Sequence, residues 1–142
     1  MILHHMAELL DDDLQNEYMH MNFYLYHSTS LIGLHAEEYK ELFAGEAKSE
    51  MAHVQQFSNV LWGLDYRPTI KCRTFPLLTD VREALQFARD MEATVVDNYA
   101  TRIRQCDTLP EPNRTWLTVF LEDQLSHSRQ DVDRFKRLLQ AS

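Results

Sequence analysis

Glu50-Met51-Ala52-His53 and Gln124-Leu125-Ser126-His127 carry the pattern that decides the fold. In each, a polar, oxygen-bearing side chain stands three residues before an imidazole, a spacing that puts both groups on one face of an α-helix. Apolar residues surround each motif at helical intervals: Phe43, Ala47, Val54, Phe57 and Leu61 around the first, and Leu117, Phe120, Leu121, Phe135 and Leu139 around the second. Two further stripes, Leu10-Leu14-Met21-Tyr24 and Leu85-Ala88-Val95-Tyr99-Ile103, are interrupted by the lone carboxylates Glu17 and Glu92. An ionised Glu in apolar surroundings needs a counter-charge, and the stripes supply no Lys or Arg at those levels. Divalent cations would satisfy Glu17, Glu50 and Glu92, with His53 and His127 completing the shells.

The remaining composition agrees with a helical bundle. The 142 residues include only 3 Gly and 4 Pro, which favours one all-α domain built from long helices. A formal net charge of −8 argues against nucleic-acid or anionic-membrane partners and is compatible with attracting cations. Cys72 and Cys106 have no metal-ligand spacing and make no disulfide framework, so a cytoplasmic setting is expected. No apolar run approaches the ~18 residues of a membrane span.

Periodicity places helices at about Leu3 to Leu31, Ala36 to Leu61, Asp80 to Gln105, and from just after Pro112. Asp80 is expected to cap the third, with Glu83 three residues on. The connector from Gly63 to Thr79, with Pro68 and Pro76, is long enough to cross a bundle, whereas the flanking links are short. The expected topology is a four-helix bundle with one long crossover between the second and third helices. Carboxylate-rich mixed ligation favours iron or manganese over a structural zinc, which ordinarily takes thiolates. His4, His5, His20, His27 and His35 are expected at the surface or as caps. Met51 admits two readings, flank packing or an axial ligand to a haem at a contact between copies. Tyr24 also admits two, core packing or a hydrogen-bonding, redox-active neighbour of the metal.

From these residues the chain resembles the bacterioferritins of the ferritin-like di-iron family over nearly its whole length. That family carries Glu, Glu-x-x-His, Glu and Glu-x-x-His on successive helices, matched here by Glu17, Glu50 with His53, Glu92, and Gln124 with His127. The resemblance implies a single ferritin-like domain over residues 1–142. It further implies a ferroxidase that oxidises Fe(II) with O2 or H2O2 at a di-iron centre and stores the ferric product. Glu17 and His53 would serve mainly one iron, Glu92 and His127 mainly the other, with Glu50 as the bridge. Met51 aligns with the family's ligand to haem b, and Tyr24 with a Tyr beside the iron.

Three departures accompany the match. Gln124 stands where the family has a bridging carboxylate and has one weak coordinating oxygen, although Asp123 lies four residues before His127 and can substitute. Gly45 and Ser49 stand where some members place a His and an Asp of an auxiliary inner-surface iron site. The sequence stops after the fourth helix, so a short fifth helix is expected to be lacking, and a homodimer is better supported than a 24-subunit cage. Two other functions are consistent with the residues: a non-storing redox enzyme of the rubrerythrin or peroxidase kind with the same ligands, and a metal-free helical interaction module.

Overall fold

The computed structural model describes residues 1–71 and 73–140; the expectation for Cys72 lies outside the described residues. Among them are four α-helices: α1 (Leu3–Ser30), α2 (Ala36–Gly63), α3 (Val81–Cys106) and α4 (Asn113–Gln140). The chain forms two compact units, one of Ala7–Ala84 and the other of Met1–Met6 with the chain from Leu85 onward.

In the first unit α1 and α2 run antiparallel. Glu17 meets His53, His20 meets Glu50, and Tyr24 meets Phe43, so the partner's number falls as the α1 number rises. Gly33, at φ 104°, and His35, at φ 66°, turn the chain between them. The first of these conformations suits a residue without Cβ. Phe23, Tyr24, Phe43, Phe57 and Leu61 are fully enclosed, each contributing about 1.5–3 kcal/mol of apolar burial. Asp65 takes a left-handed conformation just past α2, and Tyr66 N–H donates to Leu61 O at 2.9 Å, closing the helix end.

The segment after α2 runs alongside α1 in the same direction, held largely through its main chain. Asp11 Oδ1 accepts from Thr69 N–H at 2.9 Å and its Oδ2 from Thr69 Oγ1 at 2.6 Å. Gln15 donates to Thr69 O at 2.9 Å and accepts from Lys71 N–H at 2.6 Å. Arg73 reaches Asn16 and Asp12. Near the far end of α1, His27 Nε2 accepts from Leu78 N–H at 3.0 Å, Ser30 Oγ donates to Leu78 O at 2.8 Å, and Ile32 N–H donates to Thr79 O at 3.0 Å. The crossover therefore returns the chain to the α1–α2 turn, where Asp80 Oδ2 caps α3 by accepting from Glu83 N–H at 2.9 Å.

In the second unit, α3 buries Leu85, Ala88, Met91, Val95 and Tyr99, and α4 buries Leu117, Leu121, Phe135 and Leu139. Glu111 accepts from Thr115 N–H at 2.8 Å and Thr115 Oγ1 at 2.5 Å, satisfying an otherwise orphaned donor of the first α4 turn. Those bonds lower the Glu111 carboxyl pKa below its ordinary value. Cys106, at the end of α3, is a buried free thiol whose pKa burial pushes up.

Candidate metal centre

Two helical faces of the first unit supply the site. On α1, Glu17, His20 and Tyr24 follow one another at three- and four-residue steps; on α2, Glu46, Glu50 and His53 do the same. All six are buried, with Glu17, His20 and Glu50 each 1 % exposed. Apolar packing around the faces drives both helices together and carries these polar side chains inward with them.

Glu17, Glu50 and His53 each offer one ligand atom, and the three atoms lie within 4.8 Å of one another. His53 Nδ1 is 3.6 Å from Glu17 Oε2 and 3.3 Å from Glu50 Oε2. The other oxygen of Glu50, Oε1, lies 3.9 Å from His20 Nδ1. Burial, reinforced by the neighbouring Glu50, raises the Glu17 pKa to about 7. Burial opposes a charged His53, but hydrogen bonding and charge from Glu17 and Glu50 outweigh it and raise that pKa to about 10. The cluster thus concentrates negative charge, and His53 holds a proton there in the absence of a stronger cation.

The donor set fits a divalent transition metal. Two carboxylates and an imidazole are the mixed oxygen and nitrogen ligands suited to iron or manganese. Two donors each ~2.1 Å from one ion are at most ~4.2 Å apart. The separations of 3.3 and 3.6 Å satisfy that bound.

The other expected residues divide. Glu92 on α3 and Gln124 on α4 are buried, at 0 % and 2 % exposure. His127 is exposed, although the sequence placed it on the inner face of α4. The buried stripe there steps through Leu117, Leu121, Gln124 and Ser128, so after Gln124 the face continues at the fourth residue and leaves His127 on the flank. Asp123 is exposed as well. Tyr24 is fully buried, its ring centroid 5.6 Å from those of both Phe23 and Phe43. Met51 is 50 % exposed.

His20 and His27 correct the expectation that they are surface or capping residues. His20 is buried against Glu50. Its signal was present in Glu17-Tyr18-Met19-His20, a second Glu-x-x-His at the same helical spacing as Glu50 and His53. His27 is 0 % exposed, and its Nδ1 donates to Phe23 O at 2.7 Å. Nothing local marks it, since its second partner, Leu78, belongs to the crossover. Glu46, one turn before Glu50, was also missed and is 5 % exposed.

The profile of the ferritin-like domain family matches residues 7–141. The chain belongs to the ferritin-like family. Among solved structures, this ferritin-like chain is similar to a ferritin-like, diiron-carboxylate protein from Bacillus anthracis str. Ames, with 29 % identity, 98 % of this chain and 99 % of that one covered, and a TM-score of 0.88. A mycobacterial bacterioferritin shares its fold at 24 % identity over 96 % of this chain and 83 % of that one, with a TM-score of 0.83. A dodecameric thioferritin from Bacteroides fragilis does so at 13 % identity, over 99 % and 89 % of the two chains, with a TM-score of 0.79. No curated protein matches the sequence. Among the described residues, no helix is long and apolar enough to cross a membrane.

Proposed function

We propose that this ferritin-like protein is a cytoplasmic ferroxidase that binds Fe(II) as substrate, oxidises it at a dinuclear centre and stores the ferric product. The observation that carries this reading is the buried Glu17–Glu50–His53 cluster, whose donors are those that iron prefers. Glu92, Gln124 and His127 are kept as proposed ligands of a second iron, with Glu50 as the bridge, on the match of their positions to the family's motif. The similarity to a diiron-carboxylate protein over the full length of both chains supports the same reading. Iron supplies the redox chemistry: each of two Fe(II) gives one electron to O2, which takes up two protons and leaves as H2O2.

The chain's own groups govern entry and proton balance. Glu17 and His53 must give up protons to become ligands, and those protons become available where dioxygen is reduced. Tyr24, enclosed by Phe23 and Phe43, closes the side of the site toward the α1–α2 turn to water. Assembly of at least a dimer is part of the proposal. Leu25, Met51 and Trp62, each half-exposed or more, are among the large apolar groups of the first unit and are proposed as ones that a second copy would cover, where Met51 would be available to haem b.

Aerobic addition of Fe(II) in increasing equivalents, followed by absorbance and by counting the iron that co-elutes with protein on gel filtration, tests the proposal. Tens of irons per chain on a large particle would establish storage; rapid oxidation that stops near ~2 per chain, the capacity of a dinuclear bundle site, would instead make the protein a non-storing redox enzyme. Oxidation no faster than in buffer, or undiminished in Glu50→Ala, would overturn the metal assignment.

A further inference from the structure

We propose that His20 is itself a metal ligand, supplying the second iron position with the imidazole that faces the far oxygen of Glu50. The inference rests on the metal-binding reading above and adds to it a residue that neither the motif match nor the family resemblance contains.

Glu50 presents its two oxygens to two different imidazoles. Oε2 lies 3.3 Å from His53 Nδ1, and Oε1 lies 3.9 Å from His20 Nδ1. A carboxylate that bridges two cations gives one oxygen to each, so each cation bound to Glu50 finds a different ring nitrogen beside it. The His20 separation lies within the ~4.2 Å limit for two donors sharing one ion. A metal held by Oε2 would have His53 as its imidazole partner, and one held by Oε1 would have His20.

Position and burial agree with that role. His20 follows Glu17 by three residues on α1, as His53 follows Glu50 on α2, so both helices bring a carboxylate and an imidazole to the same level. Its side chain is 1 % exposed. Burying an imidazole beside carboxylates costs desolvation, which metal ligation through a neutral ring nitrogen would offset. The alternative nitrogen for the second position, His127, is exposed, and Gln124 offers one neutral oxygen and no charge. With His20 in the shell, the position beside Glu50 Oε1 gains a strong nitrogen donor from α1.

Co(II) is a suitable probe, because an imidazole bound to it shows paramagnetically shifted proton resonances and the ion does not turn over. In wild-type protein labelled at histidine nitrogen, filling the site to about two Co(II) per chain should shift both the His53 and the His20 ring resonances, an observation that needs no variant. His20→Gln should bind the first Co(II) as wild type does. It should bind the second more weakly by at least the roughly 10–100-fold that loss of even an outer partner costs, and lose one shifted imidazole set. Unshifted His20 resonances in a fully loaded wild-type protein, with two equally tight ions in His20→Gln, would overturn the assignment while leaving the dinuclear site standing. Absence of any shifted imidazole, His53 included, would overturn both.

Discussion

Replacing His27 with Phe tests the hydrogen bonding of its ring and the dependence of that bonding on pH. Nδ1 must carry the ring proton, since it bonds the Phe23 carbonyl at 2.7 Å, and the unprotonated Nε2 accepts Leu78 N–H at 3.0 Å. The ring lies among Phe23 at 4.2 Å, Tyr26 at 5.0 Å, Phe75 at 6.2 Å and Phe43 at 6.5 Å between centroids. A phenyl group keeps that packing and deprives Leu78 N–H of its acceptor, which costs about 1–3 kcal/mol. For a chain of this size that is a fall in Tm of roughly 3–12 °C. The penalty must also shrink in acid. Burial lowers the His27 pKa below 6.5, outweighing the bond to Phe23. Its contribution is therefore whole above pH 6.5 and is lost as pH falls below it, because the unfolded chain takes up a proton that the folded ring resists. The difference between wild type and variant should narrow by about 1.4 kcal/mol for each pH unit over which the folded ring stays neutral. Urea unfolding of the metal-free proteins at equal concentration, from pH 8 to pH 5.5, measures this. A difference that stays constant across that range, or is absent at pH 8, would refute the reasoning; His27→Gln, which can still accept from Leu78, should recover stability at pH 8 and lack the acid loss.

Metal uptake should release protons, because the His53 pKa of about 10 and the Glu17 pKa of about 7 keep both groups protonated below neutrality. An unbuffered titration with Zn(II) should give about two protons for the first ion at pH 6 and about one at pH 8.5. The same raised values mean that both groups hold more protons folded than unfolded. In the metal-free protein their contribution to stability is therefore full below pH 4.5 and declines as pH rises toward 10, which chemical denaturation after chelation would record. Asp11→Ala removes two hydrogen bonds to Thr69, so it should cost about 2–3 kcal/mol and speed proteolytic cleavage in the crossover relative to wild type. Gln124→Glu should tighten binding of the second metal, and an unchanged Co(II) isotherm would remove Gln124 from the ligand set.

The helices were legible in sequence because their signals are local. Apolar residues recur at three- and four-residue steps, Asp80 stands at the head of α3, and proline marks the crossover; each observed helix boundary lies within two residues of its expected place. Glu17, Glu50 and His53 were legible for the same reason, since a carboxylate inside an apolar stripe is a conflict that the sequence displays on its own. His20 satisfied the same spacing rule but was passed over, because imidazole is common on surfaces and only the opposing α2 reveals what it faces. His27 could not be read locally, as its role depends on Leu78, 51 residues away. The exposure of His127 follows from the phase of a helical stripe, which shifts by one residue according to whether the face advances by three or by four.

The hold of α1 on the crossover has a consequence for how the chain can vary. Much of its grip falls on peptide groups: the N–H of Thr69, Lys71 and Leu78, and the carbonyls of Thr69 and Leu78. Every amino acid but proline offers these donors, and all offer the acceptors, so this part of the handhold is indifferent to the side chains passing through it, whereas the Thr69 hydroxyl and Arg73 add bonds that depend on their identity. Ile70 and Leu77, 70 % and 64 % exposed, are therefore free to change identity without loosening the segment. Substitution can rewrite the outer surface of the crossover while Asp11, Gln15, His27 and Ser30 keep its path.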